Sequence, residues 1–166
     1  MEKLPRKIRF DDKLLAKFTV FAELAADELH VLFEQSAIES YAAGERIINA
    51  GDIGHCMYVI LRGRAHVTIK RGDGEIELAS LSAGDFFGEV ALVDDGPRSA
   101  SVTATDPCEL LCITRTTLGV LAGLQPGAAI QLLAAIGRNL VARLRKENQK
   151  YIDLLLSGGP TVIDQS

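Results

Sequence analysis

The sequence predicts an α+β fold: an antiparallel β-roll, jelly-roll-like, flanked by N-terminal helices, interrupted by one short helix and followed by a long C-terminal helix. Three observations predict it. Nine of the 15 glycines lie between Gly44 and Gly96, and Gly44, Gly51, Gly63, Gly72 and Gly84 punctuate short apolar runs every 7 to 12 residues, the cadence of short hairpins in a compact barrel or sandwich. Within those runs Ala65, Val67 and Ile69 alternate with Arg64, His66, Thr68 and Lys70, and Ile76 and Leu78 alternate with Glu75 and Glu77. Strict alternation gives a strand one buried and one wet face, which puts His66 toward water. After Thr114 the pattern turns helical and stays so.

Composition sets the outer bounds. The 166 residues are 48% hydrophobic and 24% charged, an ordinary globular mix for about one domain, which argues against wholesale disorder. A net charge of −4 is the wrong sign for a duplex-binding domain. No run reaches the ~18 apolar residues of a membrane span, and the N-terminus lacks the apolar region of a signal peptide. The three cysteines, Cys56, Cys108 and Cys112, form no disulfide framework and point to a reducing cytoplasm. Cys108 and Cys112 share a strand face by parity. Two ligands do not close a metal site, so they read as small buried hydrophobes and no metal is expected.

In chain order, residues 11–35 read as helical. Leu14, Leu15, Phe18 and Phe21 fall near helical spacing, and a second segment near Ala26 carries Leu29, Leu32 and Phe33 on one side. The chain divides into a helical segment at 1–35, a β-roll core at 36–115, C-terminal helices at 116–157 and a loose tail at 158–166. Pro126 suits a first helical turn. Ile130, Leu133, Gly137, Leu140, Leu144, Tyr151 and Leu154 then follow an a/d heptad, with Glu147 as its flaw. Such a rod is about 46 Å long, too long to bury its stripe on a small barrel, so a homodimer through this helix is expected. The alternative is a single amphipathic helix lying along its own domain. Residues 126–156 carry a net charge of +3 from Arg138, Arg143, Arg145, Lys146 and Lys150 against Glu147 and Asp153, which reads as a solvated face.

The chemistry concentrates between Ala83 and Ala104. Gly84 and Asp85 make a turn, Phe86 and Phe87 anchor apolar surface, and Gly88 precedes a short helix at Glu89–Val93. Free backbone N–H groups at such a start favour an anion. Pro97 leads into a strand on which parity places Arg98 with Ala100, Val102 and Ala104, facing inward. A guanidinium there needs an anionic partner: either a phosphate, which fits its forked donors, or an internal carboxylate such as Glu89 or Asp94.

Phe87-Gly88-Glu89-Val90-Ala91-Leu92 followed by Pro97-Arg98-Ser99-Ala100 resembles the phosphate-binding cassette of cyclic nucleotide-binding domains, and the nine-residue step from Glu89 to Arg98 matches its kinase-type form. Gly44-Glu45, Gly51-Asp52-Ile53-Gly54 and Met57 to Gly63 also resemble that family's early barrel, and the likeness runs from about residue 12 to 145. The resemblance implies that Glu89 accepts the ribose 2′-hydroxyl, that Arg98 neutralises the cyclic phosphate, and that N–H groups near Ala91 and Ala100, with Ser99, bind its oxygens. Phe87, Gly88 and Val90 complete the ligand-binding set. Val67 and Leu78 are implied near the base, and Arg143 is implied over it, with an exposed helix charge as the alternative. His55 stands where kinase-type relatives carry an Asp that supports the arginine. No helix-turn-helix follows, so no nucleic acid partner is expected.

The leading expectation is therefore a non-catalytic, cytoplasmic sensor domain for cAMP, with cyclic GMP as the second candidate ligand, that moves its terminal helices for a protein partner. A degenerate interaction module of the same fold, with Arg98 paired internally, is the alternative. An enzymatic reading fails because His30, His55 and His66 form no cluster.

Overall fold

In the computed structural model, which describes residue 15 and residues 17–158, β-strands make the centre and helices cover one side. Leu14 and most of the expected tail lie outside the described residues. A 3-10 turn at Thr19–Phe21 leads to helix α1 (Ala26–Glu34), shorter than the helical span read from the sequence. Asp27 and Glu28 sit in the first turn of α1, and the Ala25 N–H donates to Glu28 Oε1 at 2.9 Å. Both suit the positive end of the helix. Strands β1 (Ala37–Tyr41), β2 (Arg46–Ile48), β3 (Cys56–Arg62), β4 (Arg64–Arg71), β5 (Gly74–Ser82) and β6 (Phe86–Phe87) follow. After a 3-10 turn at Glu89–Leu92 come β7 (Ser101–Ala104), β8 (Cys108–Thr114), α2 (Arg115–Leu124) and α3 (Pro126–Ser157).

The strands form two four-stranded antiparallel sheets, ordered β1-β8-β3-β6 and β2-β7-β4-β5. Their facing sides enclose an inner core of Ile48, Tyr58, Ile60, Phe87, Val102 and Leu110, joined by all three cysteines. The back of the first sheet turns Met57, Val59, Leu111 and Ile113 toward the helices, where Leu29, Leu32, Leu121 and Leu132 meet them. Strand β3 is buried on both faces from Cys56 to Leu61, which is why Met57-Tyr-Val-Ile-Leu61 is a continuous apolar run. Cys108 and Cys112 lie on one inward face, as parity predicts.

Alternation fails where β4 meets β5. Val67 pairs with Ala79 and Thr68 with Glu77, so Leu78 is an extra, bulged residue. It is 54% exposed, while Thr68, not Ile69, is the buried residue in the second half of β4. The short central helix is a 3-10 turn ending at Leu92. Arg98 also departs from expectation. Strand β7 begins only at Ser101, and Arg98 lies before it in a segment pinned by an isolated bridge between Ile53 and Pro97.

Helix α3 has two apolar faces. Ala128, Ala129, Leu132, Ala135 and Ile136 bury against the domain. The heptad stripe points elsewhere, with Ile130, Leu144, Tyr151 and Leu154 all more than 60% exposed. Among the described residues no helix is long and apolar enough to cross a membrane.

Candidate functional site

The segment from Gly84 to Arg98 folds against the open end of the inner core. Phe86 and Phe87 pair with Val59 and Tyr58 of β3. Their side chains point opposite ways, Phe86 into the helix-covered core and Phe87 into the barrel. There the Phe87 ring stacks on Tyr58 at 5.3 Å between centroids. Gly88 follows with φ +75°, and a Cβ there would stand 2.6 Å from Arg98 Nη1. Glycine is thus required twice, by the left-handed backbone and by the guanidinium beside it. Gly54 serves the same end from the opposite wall, since a Cβ there would collide with Arg98 Nε and Cζ.

Arg98 is half-buried. Its Nη1 donates to the Gly88 carbonyl at 2.9 Å and its Nη2 to the Cys56 carbonyl at 2.7 Å. Its backbone is fixed as well, the Arg98 N–H donating to Asp52 O and the Gly51 N–H to Arg98 O. Among the described residues no carboxylate pairs with it. The internal-carboxylate alternative is therefore not what the structure adopts. The cation is held by neutral acceptors, with no ion-pair partner among the described residues.

A cavity of about 220 Å³ opens beside this guanidinium, walled by Ile48, Asp52, His55, Cys56, Tyr58 and Arg98 itself. A larger one of about 300 Å³, with Gly54, His55, Ala91, Asp95 and Arg115, lies on the far side of the same loop. The smaller is the candidate site because it holds the unpaired cation. At about 220 Å³ it falls below the ~300–1,000 Å³ usual for small-molecule sites.

The 3-10 turn is gripped by both C-terminal helices. Arg115, first in α2, donates from Nε to Ala91 O at 3.1 Å and pairs through Nη1 with Asp95 at 2.8 Å. Arg143 of α3 donates from Nη2 to Phe86 O at 2.9 Å, lies 5.1 Å over the Phe86 ring and brings Nη1 to 3.8 Å from Glu89 Oε1. The Glu89 carboxylate is only 12% exposed. Ala91 N–H, implied by the resemblance as an anion donor, here donates to Gly88 O at 3.2 Å.

Of the residues singled out from sequence, Gly88 touches Arg98 and Phe87 stacks on Tyr58 of its cavity wall, whereas Ala91 lines the larger cavity and Glu89 faces Arg143; Val90, Ser99 and Ala100 lie next to these residues or to Arg98 in the chain. Val67 packs on the inner core, and Leu78 stays outside the cavity wall. Arg143 is not free in solvent and does not line the cavity; it is bound to Phe86 and reaches Glu89. His55 lines both cavities without touching Arg98. Sequence reasoning missed the Cys56 carbonyl, which no side-chain pattern announces, and Arg115, whose place at the first turn of α2 was the available signal.

Beneath the cavity lies a polar chain on the first sheet. Tyr41 Oη donates to Glu39 Oε2 at 2.7 Å. Burial, then Glu39, pushes the Tyr41 hydroxyl well above its ordinary range, and burial with the neighbouring Cys56 does the same to Tyr58. Among the described residues no group of His, Cys, Asp and Glu is arranged to hold a metal.

The family model of the cyclic nucleotide-binding domain matches residues 38–123. The chain is 33% identical over 133 residues to the cAMP-dependent protein kinase regulatory subunit of Mycosarcoma maydis, covering 75% of this chain and 25% of that one. The Thermus thermophilus catabolite activator protein superposes with a TM-score of 0.72 at 30% identity, over 82% of this chain and 62% of that one. The regulatory domain of Toxoplasma gondii PKA, solved with cAMP, gives 0.62 at 27% identity, over 82% and 48%. The chain spans 21% to 31% of the length of the curated kinase regulatory subunits it matches.

Proposed function

Because the chain belongs to the cyclic nucleotide-binding domain family, we propose that it binds cAMP in the Arg98 cavity and reports occupancy, without catalysis, by moving its C-terminal helices. One observation carries this reading. Arg98 is a half-buried cation with two of its five donors on neutral carbonyls, no counter-ion among the described residues and a cavity alongside. A cyclic phosphate supplies the missing charge and acceptors for the remaining donors.

The other roles follow from this placement. Glu89 accepts the ribose 2′-hydroxyl, which draws its carboxylate away from Arg143. Ser99 and the N–H groups of Ala100 and Ala91 meet the phosphate oxygens, the last after leaving Gly88 O. Phe87 shapes the floor with Tyr58, Gly88 leaves room for the guanidinium, and exposed Val90 covers the mouth. Val67, and Leu78 with its exposed side chain at the bulge, offer apolar surface to the base. Preference for cAMP over cyclic GMP is supported by relatives named for cAMP.

The output runs through α2 and α3, because Arg115, at Ala91 O, and Arg143, at the Glu89 carboxylate, both reach the turn that ligand entry must displace. A ligand shifts such an equilibrium only by its differential affinity for the two arrangements, and Glu89 supplies one difference. The exposed heptad stripe of α3 supports a homodimer, and the net charge of −4 supports a protein rather than a nucleic acid partner. In these terms the chain divides into a β-roll core at 36–115 that binds and helices at 116–157 that respond.

Calorimetry with cAMP and cyclic GMP is the test. Saturable heat that is stronger for cAMP and lost in Arg98→Ala is expected. No heat and no thermal shift at millimolar ligand overturns the reading in favour of a nucleotide-free interaction module.

A further inference from the structure

We propose that Cys56 and Cys112 form a peroxide-sensitive dithiol in the wall of the Arg98 cavity, closing to a reversible disulfide. In the β3–β8 ladder Tyr58 stands opposite Cys112 and Cys56 opposite Thr114. The two cysteines are therefore one diagonal step apart on the same inward face. Both are free, buried thiols. Cys56 lines the cavity, so a small oxidant reaches it from the mouth while Cys112 lies behind it.

The surroundings select Cys56 for attack. The neighbouring Cys112 holds the Cys56 thiol below its ordinary range against the opposing effect of burial, with help from Tyr58 and the charge of Arg98. The thiolate is the reactive form. Cys108 is built differently. Its Sγ donates to the carbonyls of Arg64 and Asp106 at 3.0 and 3.2 Å, and burial pushes its thiol up.

The chemistry closes with hydrogen peroxide as oxidant. The Cys56 thiolate attacks one peroxide oxygen, the O–O bond breaks, and the other oxygen leaves as hydroxide and takes a proton. Cys56 becomes a sulfenic acid. Cys112 then attacks that sulfur, the S–O bond breaks and a second water leaves as the S–S bond forms. Two thiols are oxidised to one disulfide and one peroxide is reduced to two waters.

Diagonal neighbours in a ladder have Cα atoms about 7–8 Å apart, beyond the ~6.8 Å upper range for a relaxed disulfide. Closing the bond makes β3 slide against β8. The product is strained and easily reduced, as regulatory disulfides are. The same slide moves the Cys56 carbonyl that holds Arg98, so oxidation disturbs the cavity's cation. This coupling to nucleotide rests on the function proposed above; the disulfide itself does not.

The test oxidises the full chain with hydrogen peroxide, alkylates it in denaturant and maps its peptides. A link between residues 47–62 and 99–115 through Cys112, with Cys108 alkylated and dithiothreitol reversing the link, is expected. Cys112→Ser stops at a Cys56 sulfenic acid that dimedone traps. A link through Cys108, equal oxidation of all three thiols, or no oxidation under conditions that consume free cysteine overturns the proposal. Mapping of the unsubstituted chain decides even if the variant does not fold. In a second arm cAMP is added first. Where calorimetry shows binding, oxidation slows at least tenfold, and an unchanged rate overturns the shared cavity. Where calorimetry shows no binding, the first arm still decides the dithiol and only the nucleotide reading fails.

Discussion

Replacing Arg143 by alanine separates two roles for this side chain, because they give opposite signs. In the structure Arg143 holds Phe86 O at 2.9 Å, stacks over the Phe86 ring and sits 3.8 Å from Glu89. The bond to the carbonyl contributes about 1.5–3 kcal/mol as a charged donor, and the cation–π contact about 0.5–1 kcal/mol. Both involve β6, which ligand entry does not displace, so they are common to the two states and cancel from the binding energy. The Glu89 pair remains. With Arg143 at 42% exposure, solvent holds it to about 0.2–1 kcal/mol. Since binding draws Glu89 to the ribose, removing Arg143 tightens cAMP by roughly 1.4- to 5-fold. Were Arg143 instead to stack on the bound base, the lost cation–π contact of about 0.5–2 kcal/mol weakens binding roughly 2- to 30-fold. Titration calorimetry at fixed ionic strength, well below the melting temperature, reads the sign directly. A weakening beyond about twofold refutes the latch.

Arg98→Ala removes the cation and its charge-assisted bonds, each about 1.5–3 kcal/mol, so cAMP affinity falls at least tenfold; unchanged affinity in the same titration refutes the site. Gly88→Ala forces a Cβ into a backbone with φ +75° and against Arg98. At about 1–2 kcal/mol for the left-handed conformation, melting falls by roughly 2–8 °C, and binding weakens with it. Leu144→Glu combined with Leu154→Glu, at positions that face away from the domain, turns a dimer into a monomer by light scattering with helix content kept. A dimer that persists refutes the heptad stripe as the interface.

Much of the fold was legible because its signals are local. The glycine cadence placed the hairpins, and Pro126 placed the start of α3 where the structure has it. Alternation located the inward face of β4 as far as Val67 but gave no warning of the bulge at Leu78, since an extra residue in a strand looks like any other until its partner is known. Parity failed at Arg98 for a related reason. The strand was extended through Ser99 and Ala100, whereas the backbone bonds to Asp52 and Gly51 hold the chain in an irregular loop there. The carbonyls of Gly88 and Cys56 that support Arg98 belong to the backbone, which every residue carries. Sequence could show that a guanidinium was aimed inward, not which oxygens would hold it. The contacts of Arg115 with the turn and of Arg143 with Phe86 just before it are equally non-local, joining residues 24 and 57 positions apart.

Under the proposed function, those contacts give a helix with two apolar faces its use. Residues 128–136 bind α3 to its own domain, and the stripe beyond them is left for a partner. Arg143 lies just past the last buried turn, where α3 leaves the domain surface. Under the proposed function, a shift of the 3-10 turn acts where the exposed half begins, and a small rotation there re-aims the part of the stripe beyond Ile136. Had Arg143 lain near Pro126, the packed face would absorb the shift; had it lain near Leu154, it could not reach Glu89. Binding and association then act on one helix. By linkage, whatever factor the nucleotide adds to dimer affinity, the dimer returns to nucleotide affinity, so the occupied and assembled states stabilise each other or neither does.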